Sequence, residues 1–134
     1  MQLNLKTDYA IRTLLYLASK GGKASSVEIS QQMAIPKSMI SDFAAPLQKA
    51  GIMTHHRGAS GGFVLCRDPK DISLHEVINL LEGTTRINRC LEPDHYCSRN
   101  AVETCPVHKF YVQVQTYLEE AFRGKTIASL MEDA

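Results

Sequence analysis

SSVEISQQMAIPKSMISDFAAPLQKAG, Ser25 to Gly51, reads as two helices meeting at one tight turn. Ser25 and Glu28 form a capping-box pair, so a helix opens there and runs to about Met33. Ala34 and Ile35 turn the chain into Pro36, well suited to the first position of the next helix. That helix, 36–50, is expected to bury Ile40, Phe43, Leu47 and Ala50 and to stop at Gly51. Its other side shows Lys37, Ser38, Ser41, Asp42 and Lys49, small and polar as a groove-reading helix requires. Two helices joined this way fit a helix-turn-helix. Pro46 interrupts the pattern. It removes the hydrogen bond to the Asp42 carbonyl and costs about 3 kcal/mol in an ordinary helix interior, so a kink or early loosening is expected.

Immediately downstream, residues 52–57 and 63–66 read as two short strands around the glycine-rich tip 58–62. A hairpin directly after a helix-turn-helix is a wing. Arg57 at its base has a backbone phosphate or a narrow minor groove within reach. Gly58 and Gly61 allow the loop close to DNA. A phosphate-cradling nucleotide loop is the rival reading, but no Gly-Lys-Ser/Thr follows. His55 and His56 point to opposite faces of a strand, and Cys66 reads as a small core residue. Upstream, the first helix is expected to take Thr7 as N-cap, with Asp8 in its first turn. Ile11, Leu14, Leu15 and Ala18 share one face, and Gly21-Gly22 ends it. The fold class is mainly α with a small β-hairpin wing.

Beyond the break at Asp68-Pro69, Ser73 and Glu76 cap another helix that reaches Gly83. Three of the four cysteines then fall between Cys90 and Cys105, with six and then seven residues between them, and His108 follows the last by three. A polar loop of this length without a core of its own needs something to order it, and thiolate-bound metal would do so. Cys105 and Pro106 read as N-cap and first position of a long helix. Val107, Phe110, Tyr111, Val114, Tyr117, Leu118, Ala121 and Phe122 form one broad apolar stripe, which would meet its own copy in a homodimer. An intrachain core helix is the plainer alternative. Thr126 caps a short last helix. Three units are expected: a winged helix-turn-helix over 1–83, a cysteine-rich loop over 84–105, and a dimerisation helix with the short helix over 106–134.

Composition agrees with one small folded domain of 134 residues, 44% apolar and 22% charged. No signal-peptide pattern or membrane-length apolar run is present, so a cytoplasmic location is expected, where clustered cysteines suggest metal or redox chemistry. The net charge of +1 conceals an asymmetry. Residues 1–67 hold eight Lys or Arg against three acids, and residues 68–134 seven against eleven. A basic first half suits a polyanion such as DNA.

The opening MQLNLKTDYA, the KAGI at 49–52, the RGASGGF at 57–63 and the three-cysteine loop together resemble the IscR/NsrR group of bacterial winged-helix regulators, the Rrf family. That resemblance extends from Met1 to the final helix. It implies a homodimer with crossed long helices, palindromic operators and an iron–sulfur cluster on the cysteine loop, with Cys90, Cys97 and Cys105 as ligands. His108 matches the fourth ligand of the IscR type, which holds a two-iron cluster. Asp8 matches the carboxylate that NsrR-type proteins supply from the other subunit to a four-iron cluster. The amino-terminal motif favours Asp8 and four irons. Ser41-Asp42-Phe43 and Pro46 depart from the group's recognition helix.

The expected function is that of a repressor, not an enzyme. Its iron–sulfur cluster would sense nitric oxide, redox state or cluster supply, and Lys37, Ser38, Ser41, Asp42, Arg57, Gly58 and Gly61 would contact operator DNA. The alternative is a regulator of the same fold that uses zinc or no metal and answers to a protein partner. A redox enzyme is disfavoured, because no Cys-x-x-Cys or catalytic base is visible.

Overall fold

The computed structural model describes residues 1–134. Its helices are α1 (Leu5–Lys20), α2 (Ser26–Met33), α3 (Lys37–Lys49), α4 (Leu74–Glu82), α5 (Pro106–Arg123) and α6 (Ile127–Glu132). Strands β1 (Met53–His56) and β2 (Gly62–Leu65) form one antiparallel hairpin, registered Met53 to Leu65 and His56 to Gly62. Ala24 adds a single bridge to Phe63, tying the wing to the segment that leads into α2.

Helix α1 starts three residues earlier than expected. Asn4 is the N-cap, its side chain accepting from the Lys6 amide at 2.8 Å. Thr7 is instead fully buried, and its Oγ1 donates to Glu82 Oε1 at 2.6 Å. The Asn4 amide reaches the same oxygen, so the last residue of α4 holds the start of α1. Gly21 closes α1 at φ 72°, a left-handed position that favours glycine. The buried face is Ala10, Leu14 and Leu17, with Ile11, Leu15 and Ala18 only half-buried beside it.

Ser25 caps α2 and Ser73 caps α4, each accepting from the amide three residues on at 3.1 Å. Neither glutamate completes its box. Glu28 turns to Lys20 and Tyr16, and Glu76 turns to Arg67. Lys20 and Tyr16 together hold the Glu28 carboxyl below its ordinary range. Pro36 stands at the N-cap of α3 rather than inside it. The helix continues past Pro46 to Lys49, so the expected early loosening does not occur. Ile40, Phe43 and Leu47 are buried as expected, but Ala44 fills the fourth place and Ala50 is exposed.

Phe43 is fully buried at the centre of one apolar core formed by α1 to α4, the hairpin and Ile127 of α6. The short last helix therefore returns to the winged-helix core after the long α5 has left it. Cys66 lies just past β2 and is exposed, contrary to the core position expected for it.

Candidate functional site

Two surfaces bear the polar chemistry of the chain. On the first, Lys37, Ser38, Ser41 and Asp42 are all exposed along α3, and Arg57 and Gly58 are exposed at the wing. Lys37, Asp42 and Arg57 are held in no ion pair, which leaves their charges available to an outside partner. Gly61 is half-buried for a steric reason. A Cβ there would stand 2.1 Å from the His56 carbonyl oxygen, so only glycine lets the tip fold back. Gly62 has the same restriction, with the Ala24 carbonyl 2.7 Å from any added Cβ. The tip is thus folded tightly onto the strand base. The His55 ring rests against Phe63 with centroids 4.5 Å apart.

The second surface is the cysteine loop against the start of α5. Cys105 is the N-cap of α5, and its Sγ accepts from the His108 amide at 3.4 Å. A sulfur in that position lies at the positive end of the helix dipole. His108, one turn on, brings Nδ1 to 3.2 Å from Cys90 Sγ. The Asn88 side-chain amide donates to the same sulfur, also at 3.2 Å. Across the cleft, the Cys97 thiol is drawn below its ordinary range by the backbone amides of Ala101 and Arg99 and by the Arg99 charge. Cys90, Cys97, Cys105 and His108 all line one open cleft of about 280 Å³, together with Tyr96 and Tyr111. No three of the chain's His, Cys, Asp or Glu side chains converge on the point a single ion would occupy. The donors are spread around the cleft.

Asp8 does not line this cleft. Its carboxylate is exposed on α1 and paired with Arg12, whose other arm donates to the Met33 carbonyl at 2.9 Å. Within one chain the structure brings His108, and not Asp8, to the cysteines.

The loop also has order of its own. Arg89 grips Asp94 with both arms, one at 2.6 Å, and lies over the Tyr96 ring. That guanidinium holds the Asp94 carboxyl down to about 2. Thr84 Oγ1 donates to Glu92 at 2.6 Å, and Leu91 is buried. The sequence suggests thiolate-bound metal as one source of order for the loop, and these contacts add a second within the chain. Arg89, Asp94 and Asn88 are not legible in the sequence, because a polar side chain in a loop looks the same whether partnered or free.

Helix α5 inverts the usual burial. Phe110 is 59% exposed, Tyr117 76% and Val107 52%, whereas the buried side chains are Gln115 and Glu119. Leu118 and Phe122 are half-buried against a cavity shared with Ile78 of α4.

Residues 3–133 match the family model for Rrf2, described as an iron-dependent transcriptional regulator. An HTH-type transcriptional regulator of Aquifex aeolicus is 30% identical over 124 residues, spanning 92% of this chain and 86% of that one. The solved structure of T. potens IscR has a TM-score of 0.78 at 24% identity, covering 99% of this chain and 88% of that one. CymR, described as the global cysteine regulator of B. subtilis, gives 0.81 at 23%, covering 100% and 98%. Both solved structures share the winged-helix fold, and the relatives are transcriptional regulators rather than enzymes. A match over nearly the whole length of the chain establishes that it belongs to the Rrf2 family of transcriptional regulators.

Proposed function

We propose that this regulator is a homodimeric repressor whose operator affinity is set by an iron–sulfur cluster on Cys90, Cys97 and Cys105. The observation that supports it most is the gathering of all three thiols and one imidazole around a single cleft at a helix N-terminus. This donor set fits the group: soft thiolates are the standard ligands of such clusters. The family description, iron-dependent, agrees.

His108 is the fourth donor that the intrachain geometry supports. Asp8 of the partner subunit would first have to leave Arg12. With His108 the cluster is a two-iron one; with Asp8 of the partner subunit it has four. When bound, the group supplies iron open to nitric oxide, oxygen or exchange, because imidazole or carboxylate holds it less firmly than sulfur. Lys37, Ser38, Ser41 and Asp42 of α3 read the major groove, while Arg57 with Gly58 and Gly61 approaches the adjacent minor groove. Residues 1–83 act as the reading unit, 84–105 as the sensing unit and 106–134 as the pairing unit.

Anaerobic purification with visible absorption and iron-to-sulfide analysis tests this directly. Coloured protein with acid-labile sulfide is the expected result, and colourless protein that takes up no iron would overturn it. A second reading has its own support in the Arg89–Asp94 and Thr84–Glu92 contacts, which tie the loop together through its own side chains. On that reading the chain is a regulator answering to a protein partner, and it predicts undiminished operator binding in the colourless protein.

A further inference from the structure

The two buried side chains of α5 are polar, and the proposed chemistry uses neither. Gln115 uses both ends of its amide on the segment joining α4 to the cysteine loop. Its Oε1 accepts from the Ile87 amide at 2.8 Å, and its Nε2 donates to the Thr85 carbonyl at 2.9 Å. A further contact from Nε2 reaches Glu119 Oε1 at 3.0 Å. That carboxylate also takes Arg86 Nη1 at 2.7 Å and Thr85 Oγ1 at 3.4 Å, with Arg123 at 3.3 Å on its other oxygen.

An apolar helix side facing the chain's own fold would normally be filled by leucine or valine. Buried polar groups cost free energy unless fully bonded, and here each is bonded in a geometry that only one register of segment 84–88 satisfies. Apolar packing tolerates sliding, whereas this set of hydrogen bonds does not. The segment is short. Seven residues, 83–89, separate the end of α4 from Cys90. Glu82 at that end holds the Asn4 amide and Thr7 of α1. A continuous path therefore runs from Cys90 through the clamped segment to α4 and α1 of the DNA-reading unit.

We infer that Gln115 and Glu119 are positioning residues that clamp segment 84–88 to α5, so that a change at the cysteine loop reaches the DNA-reading unit instead of being absorbed in the linker. The inference rests on the cluster-controlled reading above. Without the clamp, the two ends of 83–89 move independently, and the two states of the loop differ less in their effect on α4.

The test compares wild type with Gln115→Leu, which keeps the bulk and removes the amide. Three quantities are read: iron and sulfide content, operator affinity of loaded and unloaded protein, and hydrogen exchange at the Ile87 amide in metal-free protein. In Gln115→Leu, iron and sulfide should match wild type, and the Ile87 amide should exchange about tenfold faster. The loaded-to-unloaded affinity ratio should shrink by about fivefold or more toward unity. Full retention of the wild-type ratio in Gln115→Leu would overturn the clamp alone. A wild-type protein whose affinity ignores loading would overturn the underlying reading and the clamp with it. Should Gln115→Leu not fold, Glu119→Gln keeps the shape while removing the charge that Arg86 and Arg123 meet. It carries the same comparison with the same two outcomes.

Discussion

Single residues fix the wing. Gly62 lies so close to the Ala24 backbone that an alanine must push the two segments apart. Gly62→Ala is expected to destabilise by about 1–3 kcal/mol, read as a lowered thermal midpoint. An unchanged midpoint would mean that the wing is not packed on the start of α2. Thr7 and Asn4 show what the residues alone convey. Threonine and asparagine are both good N-caps, so local preference cannot choose between them. The choice is made by Glu82, seventy-eight positions away from Asn4, whose carboxylate recruits Thr7 into the core. Cys66 fails for a similar reason: small thiol residues are usually buried, yet the strand ends one residue before it. The cysteine ligand candidates were legible because spacing on a polar loop is a local property. Asn88 was not, since its value depends on where Cys90 folds back.

Elements tell a different story. The caps Ser25, Ser73, Cys105 and Thr126 were all readable, because each acts on an amide of its own helix within three residues. What the two capping-box glutamates do was not readable, since their partners Lys20 and Arg67 lie outside those helices. On α5 the apolar stripe was plain, but not that Gln115 and Glu119 would be the buried pair. Polar residues opposite a stripe ordinarily face water. Glu119 gives this clamp a pH signature. Burial would raise its carboxyl, but the Gln115 hydrogen bond and the charges of Arg86 and Arg123 outweigh that and leave it lowered. A lowered folded value means its contribution is complete above the usual glutamate range and is lost as pH falls through the folded value. Glu119→Gln should therefore lower stability at neutral pH and flatten its decline in acid, measured by urea denaturation at several pH values. Parallel curves for the two proteins would contradict the assignment.

At the scale of the whole molecule, the chain leaves Phe110 and Tyr117 in water, and no helix is long and apolar enough to cross a membrane. A second copy of α5 is the proposed cover. Tyr117→Glu should convert dimer to monomer at micromolar concentration in sedimentation, since a charge buried at such a contact costs at least ~2 kcal/mol. Monomer in the wild type would contradict the arrangement. Arg57→Ala should weaken operator binding and reduce the salt slope by about one. An identical slope would place Arg57 away from the phosphates.

The central claim is that the cysteine cleft governs the distant reading surface. One anaerobic preparation should be titrated with operator DNA before and after its iron is removed, beside a variant carrying Cys90→Ala, Cys97→Ala and Cys105→Ala. The account predicts about a tenfold or larger change for wild type and none for the triple variant. Equal affinity of the wild-type protein in both states would contradict it.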